Sequence, residues 1–300
     1  MITRIDSCSV YHLTDYIRLA SMLDNAPFLT HVHGALTVEG YSRAAVQSYW
    51  RIPELRIGFD IGAQPWDFMG TATWAITHGH LDHIAALSVY IARRRMMKME
   101  PPTIYLPEHI VAGVEAMLRT FSRLDRGRLP CELVAVEAGD EIELSRELVM
   151  TVHRMTHSVP AVGYLIWERR FKLKPEYQGL AGHEIRDVRL SGTEVSAEVR
   201  MPLLAYTGDT SPAGLDNNPD FYRAQVLITE MTFVSPKHRR EKIHKHGHMH
   251  LDDFIARQDQ FENELVIAGH FSVRYNTPQV LREIERKIPG LWDGRLKPWI

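Results

Sequence analysis

Residues 77–83 read Thr-His-Gly-His-Leu-Asp-His, so His78, His80, Asp82 and His83 put four metal-ligating groups within six residues. The run follows Thr73–Thr77, a β-branched and aromatic stretch that predicts a strand. On an extended segment, residues two apart point the same way, so His78 and His80 can reach one ion together. Asp82 and His83 fall where the chain turns into a helix and can face a second ion. The chain has 16 histidines, and any one alone reads as an ordinary surface or core residue. Clustered imidazoles beside a carboxylate instead suit a zinc site.

A binuclear site needs donors from elsewhere. His157, Asp209 and His270 each stand at the end of a predicted strand, in Thr-His-Ser-Val-Pro, Thr-Gly-Asp-Thr and Gly-His-Phe-Ser respectively. Singly, each reads as a turn or capping residue. As a set they complete a ligand shell, and a carboxylate such as Asp209 can bridge two ions. A water between close ions has a lowered pKa and supplies hydroxide at neutral pH.

These residues require strand ends gathered at one edge. Strands are expected at 56–60, 73–77, 103–106, 203–207, 225–229 and 265–268, with several more between Cys131 and Phe171. Helices are expected at 84–99, 108–123, 251–261 and 277–287. Strands with interleaved helices predict an α/β layered domain, and consecutive strands argue against a purely parallel sheet. No Gly-rich dinucleotide or phosphate loop follows any strand. Residues 1–35 read as an irregular or weakly helical extension of open role. Residues 172–192 read as a polar arm inserted in a domain spanning 36–300.

Composition narrows the class. The 300 residues are 45% hydrophobic and 24% charged, ordinary for a soluble globular chain. The net charge of −2 points to no partner by itself. No run has the apolar length of a membrane span, and no signal-peptide core is visible. Two cysteines, Cys8 and Cys131, make no disulfide framework, so a cytoplasmic location is expected.

His78-Gly-His80-Leu-Asp82-His83 resembles the signature of the metallo-β-lactamase superfamily. Gly208-Asp209-Thr210, Thr229-Glu230-Met231-Thr232-Phe233, Gly247-His248-Met249-His250 and His270-Phe271-Ser272-Val273-Arg274-Tyr275 are similar to one branch, ribonuclease Z, in its short plant-type form. The resemblance runs from about Leu36 to near the C-terminus. It implies an αββα four-layer sandwich with the metals at one edge, and a homodimer. It also implies two zinc ions, with manganese as the alternative. His78, His80 and His157 would hold one ion, Asp82, His83 and His270 the other, and Asp209 would bridge. Asp82 would also orient the hydroxide or accept its proton. His248 would donate a proton to the leaving oxygen, Glu230 would orient it, and Asp60 would support the site from behind. The implied substrate is precursor tRNA, cut at its 3′ trailer.

The stretch 237–250 is basic and His-rich, which alone reads as a solvated loop. His248 and His270 lie 270 − 248 = 22 residues apart, with a helix and a strand between. That matches the layout of the family it resembles, and the resemblance therefore favours His248 over His246 and His250. Ser272 and Arg274 are candidates for substrate contact; a surface salt bridge is the competing reading of Arg274. RNA phosphates demand basic patches. Candidates are Arg169-Arg170 with Lys172 and Lys174, Arg93–Arg95 with Lys98, and the 237–245 loop. A small-ester, thioester, lactone or phosphodiester hydrolase of the same fold is the alternative, since fold alone does not fix substrate. A catalytically dead scaffold is disfavoured because no ligand position is missing.

Overall fold

Strand β2 (Leu36–Arg43) alternates buried and half-buried side chains residue by residue, the period of a strand with one face on a core. Strands β12 (Val226–Glu230) and β13 (Leu265–Gly269) are buried throughout. Both faces of such strands are covered, which is why they read as continuous apolar runs. The computed structural model describes residues 26–300.

Two seven-stranded sheets share one plan. The first runs in chain order from β1 (Leu29–His33) and β2 through β3 (Gln47–Ile52), β4 (Ile57–Ile61), β5 (Thr73–Ala75) and β6 (Thr103–Pro107) to β7 (Glu132–Val136). The second runs from β8 (Glu141–Glu143) and β9 (Leu148–Met155) through β10 (Ala161–Leu173), β11 (Ser196–Tyr206), β12 and β13 to β14 (Leu296–Pro298). In each sheet the first three pairings are antiparallel and the last three parallel.

Trp50, Phe59, Tyr164, Tyr206, Ile228 and Ile267 fill the space between the sheets. Trp74, Ile104, Leu87 and Val114 pack helices Leu87–Met96 and Glu108–Leu124 onto the first sheet. Leu227, Val266, Phe254 and Ile284 do the same for helices Leu251–Ala256 and Thr277–Lys287 on the second. The result is the expected αββα sandwich. The last helix starts where its sequence dictates: Asn276 and Gln279 exchange side-chain-to-backbone hydrogen bonds of 3.0 Å in both directions, a capping box.

Four local expectations meet differences. Residues 1–25 lie outside the described residues, and within 26–35 there is a strand, β1, antiparallel to β2. Its five residues Leu-Thr-His-Val-His carry too weak an apolar alternation to announce it. The helix expected at 84–99 is two, Leu81–Ile84 and Leu87–Met96, because the metal-motif turn uses its own short helix. The helix expected at 251–261 ends at Ala256. The arm begins before Lys172: β10 and β11 pair as far as Leu173 and Ser196, while β9 leaves β10 at Glu168. Helix Gly182–Leu190 tops that hairpin. Among the described residues no helix is long and apolar enough to cross a membrane.

Candidate metal centre

Asp60, at the end of β4, is fully buried with φ +53°, a left-handed conformation uncommon for a residue with a Cβ. Its carboxylate accepts from the Thr77 amide at 2.8 Å, the Thr77 hydroxyl at 3.0 Å and the Tyr206 hydroxyl at 2.6 Å. It also accepts from His83 Nδ1 at 2.7 Å. One side chain therefore ties the ends of β4, β5 and β11 to the ligand turn. The neighbouring backbone is close as well: a Cβ on Gly62 would lie 1.8 Å from the Asp82 carbonyl oxygen.

The outer nitrogens of four histidines are committed. His83 Nδ1 donates to Asp60, and His157 Nδ1 donates to the Gly247 carbonyl at 2.9 Å. The Thr77 hydroxyl donates to Asp60, so it accepts from His78 Nδ1 at 3.0 Å. The Thr232 hydroxyl donates to Glu230, so it accepts from His270 Nδ1 at 3.0 Å. In the neutral form of all four rings Nε2 then carries the lone pair. This outer hydrogen bonding is how proteins fix the tautomer of a ligating histidine.

The inner atoms form two groups. His78 Nε2 and His157 Nε2 lie 3.0 and 3.1 Å from His80 Nδ1, and each is 3.9 Å from Asp209 Oδ2. His83 Nε2 and His270 Nε2 lie 3.4 and 3.3 Å from Asp209 Oδ1, and 3.8 and 3.5 Å from Asp82 Oδ2. Asp209 thus offers one oxygen to each group. Ligand bonds of about 2.0–2.1 Å in a tetrahedron put neighbouring ligand atoms about 3.4 Å apart, the scale found here. His83 Nε2 and His270 Nε2 are buried with no hydrogen-bond partner. Lone pairs left bare against two carboxylates fit a cation between them.

The charges agree. Burial, with His83 next, lowers His78 well below its ordinary value, and burial lowers His157. Both rings are held neutral, the form that ligates. Burial opposes a charge on His83, yet Asp209 and Asp60 raise it well above its ordinary value. Burial would raise Asp82, but its contacts with His270 and His83 bring it down to about 2. The second group is thus short of positive charge, which a divalent ion supplies. His270 takes φ +58°, a second strained position of the kind that clusters at functional sites.

Beside the ligands lies a second buried carboxylate. Glu230 Oε1 accepts from the Thr210 amide at 2.7 Å and from His248 Nδ1 at 3.0 Å. Its Oε2 accepts from the Met249 amide at 3.1 Å and the Thr232 hydroxyl. Burial works against a proton on His248, but Glu230 outweighs it and raises the ring to about 9. That direction favours the imidazolium, and Asp209 and Asp82 add to it. A nitrogen of His248 also lies within 4.8 Å of ligand atoms of Asp209 and His270. His250 is buried and fully used, accepting from the Asp252 amide and donating to the Ser235 carbonyl. His246 is exposed on the rim of a cleft of about 500 Å³, which His248 and Arg274 also line. Ser272 is buried beneath that rim, its hydroxyl 3.4 Å from the Arg274 amide.

Thr77, Thr232, Tyr206 and the Gly247 carbonyl escape the sequence reading. Gly247 alone left a trace: it has φ +72°, and a Cβ there would lie 2.3 Å from His157 Cα. Some of the basic candidates for RNA contact are engaged within the protein. Arg169 bonds Glu143, and Arg170 bonds Glu168. Arg94 of the 93–95 run is buried, donating to backbone carbonyls of Met69 and Glu100.

A Beta-lactamase superfamily domain matches residues 74–271. The tRNase Z TRZ1 of Arabidopsis thaliana is 33% identical over 261 residues, covering 86% of this chain and 93% of that protein. The chloroplastic tRNase Z TRZ2 of the same plant is 34% identical over 263 residues, covering 87% of this chain and 74% of that protein. The crystal structure of human tRNase Z, short form, superposes with a TM-score of 0.50 at 16% identity, covering 84% of this chain and 91% of that one.

Proposed function

The chain belongs to the ribonuclease Z family of the β-lactamase superfamily, and from that premise we propose an endoribonuclease that removes the 3′ trailer from precursor tRNA with two divalent ions. Zinc is the first expectation and manganese the second. The observation that carries the reading is the division of Asp209 between two ligand groups, with the His248–Glu230 pair alongside.

His78, His80, His157 and Asp209 would hold one ion, and Asp82, His83, His270 and Asp209 the other. When bound, such ions supply a hydroxide nucleophile at neutral pH and neutralise the phosphoryl oxygens. The protein's own groups do the rest. Asp82 orients the attacking water and takes its proton. Glu230 holds the Nδ1–H of His248, which turns the opposite nitrogen into the donor to the leaving 3′ oxygen. An imidazolium at neutral pH is the form that such an acid needs. Arg274, on the cleft rim, contributes a phosphate contact, and Ser272 supports it through its backbone rather than touching substrate. We further propose a homodimer, a cytoplasmic location, and one hydrolase domain from about Leu36 that β1 extends.

The test is cleavage of a precursor tRNA carrying a 3′ trailer, with zinc or manganese, with chelator, and in the His248→Ala variant. A single metal-dependent cut after the discriminator base, lost in the variant, is the expected result. Fully metallated protein that leaves the precursor whole while hydrolysing a small ester would overturn the RNA substrate.

A further inference from the structure

Some basic side chains of the protein are neutralised by carboxylates. Arg200 pairs with Glu141 and Glu198, Arg257 with Asp216, and Lys287 with Asp252. Arg239, Lys242 and Arg274, like many others, have no carboxylate partner among the described residues, but these three are gathered in one cleft beside His248. Phe233 and His238 complete its wall. The rings stand in order outward from the ligands. His157 and His248 have centroids 5.0 Å apart, His248 and Phe233 6.3 Å, and Phe233 and His238 5.3 Å.

In phosphoryl transfer the attacking and leaving oxygens lie roughly in line on opposite sides of phosphorus. Attack comes from the ligand cluster, and the leaving oxygen meets the acid at His248. The nucleotide that keeps this oxygen must therefore extend past His248, into the cleft. We infer that this cleft is the subsite for the nucleotide carrying the leaving 3′ oxygen. Phe233 offers its base or ribose an apolar face, and Arg239, Lys242 and Arg274 take the phosphate on its 5′ side. The inference rests on the ribonuclease reading above. Its ligand class is an RNA end with a free 3′ hydroxyl.

The probe is a short single-stranded RNA with a 3′ hydroxyl and a fluorophore at its 5′ end, bound to the metal-loaded full chain. Arg239→Ala/Lys242→Ala should weaken binding at least tenfold. It should also flatten the slope of log affinity against log salt by about 1.4, two contacts at roughly 0.7 each. Phe233→Leu should weaken binding while leaving the salt slope as it is. With precursor tRNA, the double variant should raise KM at least tenfold at nearly constant kcat, a far larger change than in KM for a small chromogenic diester. Matching melting curves exclude a folding defect. Wild-type affinity and slope in the double variant would overturn the subsite. Wild-type protein that hydrolyses the diester yet neither binds nor cuts RNA would overturn the ribonuclease reading, and the subsite with it.

Discussion

The metal centre and the β10–β11 hairpin are both rich in charge, and they treat it in opposite ways. On the hairpin, Arg169 and Arg200 meet carboxylates of β8, and Arg170 and Arg200 meet carboxylates on their own strands. At the centre, two buried imidazole nitrogens face two carboxylates without a hydrogen-bond partner, and two ligand-bearing or ligand-supporting residues adopt left-handed backbone. Exposed ion pairs contribute little and relax easily. Buried lone pairs without partners cost free energy unless something else satisfies them. Chemistry in this molecule is marked by what is left unmatched, not by the density of charge.

That contrast can be broken at several points. Asp209→Ala removes the carboxylate that both ligand groups share. Metal content by elemental analysis and RNA turnover should fall together, by more than the roughly 100-fold that loss of an outer partner costs. Retention of two ions per chain would break the reading of Asp209 as a bridge. His248→Ala should keep its ions and lose about 10²–10⁴ in turnover, the range of a general acid. Thr232→Val deprives both His270 Nδ1 and Glu230 of a partner, and about 10–100-fold in metal affinity or activity should follow, with Thr232→Ser restoring most of it.

The pH profile sharpens the same contrast. Because Glu230 raises His248 to about 9, the ring is a proton donor at neutral pH and ceases to be one as pH rises through that value. Activity should fall on the alkaline side, and Glu230→Gln should bring the fall to lower pH. An unmoved limb would detach Glu230 from the acid. The smallest effect belongs to the hairpin. Arg200→Ala breaks a pairing with Glu141 and Glu198 and should cost under about 1 kcal/mol in thermal stability. A loss rivalling that of the central variants would erase the distinction between the two regions.

The sequence made the centre legible where ligands are contiguous. His78, His80, Asp82 and His83 announce themselves, and His157, Asp209 and His270 become recognisable once strand ends are placed. The sandwich followed from alternating strands and helices together with the family resemblance. Thr77 and Thr232 stayed hidden because a threonine beside a strand end looks alike whether its hydroxyl is idle or bridges an imidazole to a carboxylate. The left-handed turns at Asp60 and His270 were equally silent, since only glycine advertises that conformation. β1 was missed because its pairing with β2, not its own composition, makes it a strand.

The division of ligands between sheets has a consequence for the order in which the protein comes to life. His78, His80, Asp82 and His83 follow β5 in the first sheet, whereas Asp209 follows β11 and His270 follows β13 in the second. During synthesis the first four leave the ribosome long before the last, which lies 270 − 83 = 187 residues after His83. The nascent chain therefore lacks at least one ligand of its second ion site until β13 has been made and docked. The second ion site is thus completed only when the last strands of the second sheet have closed against the first.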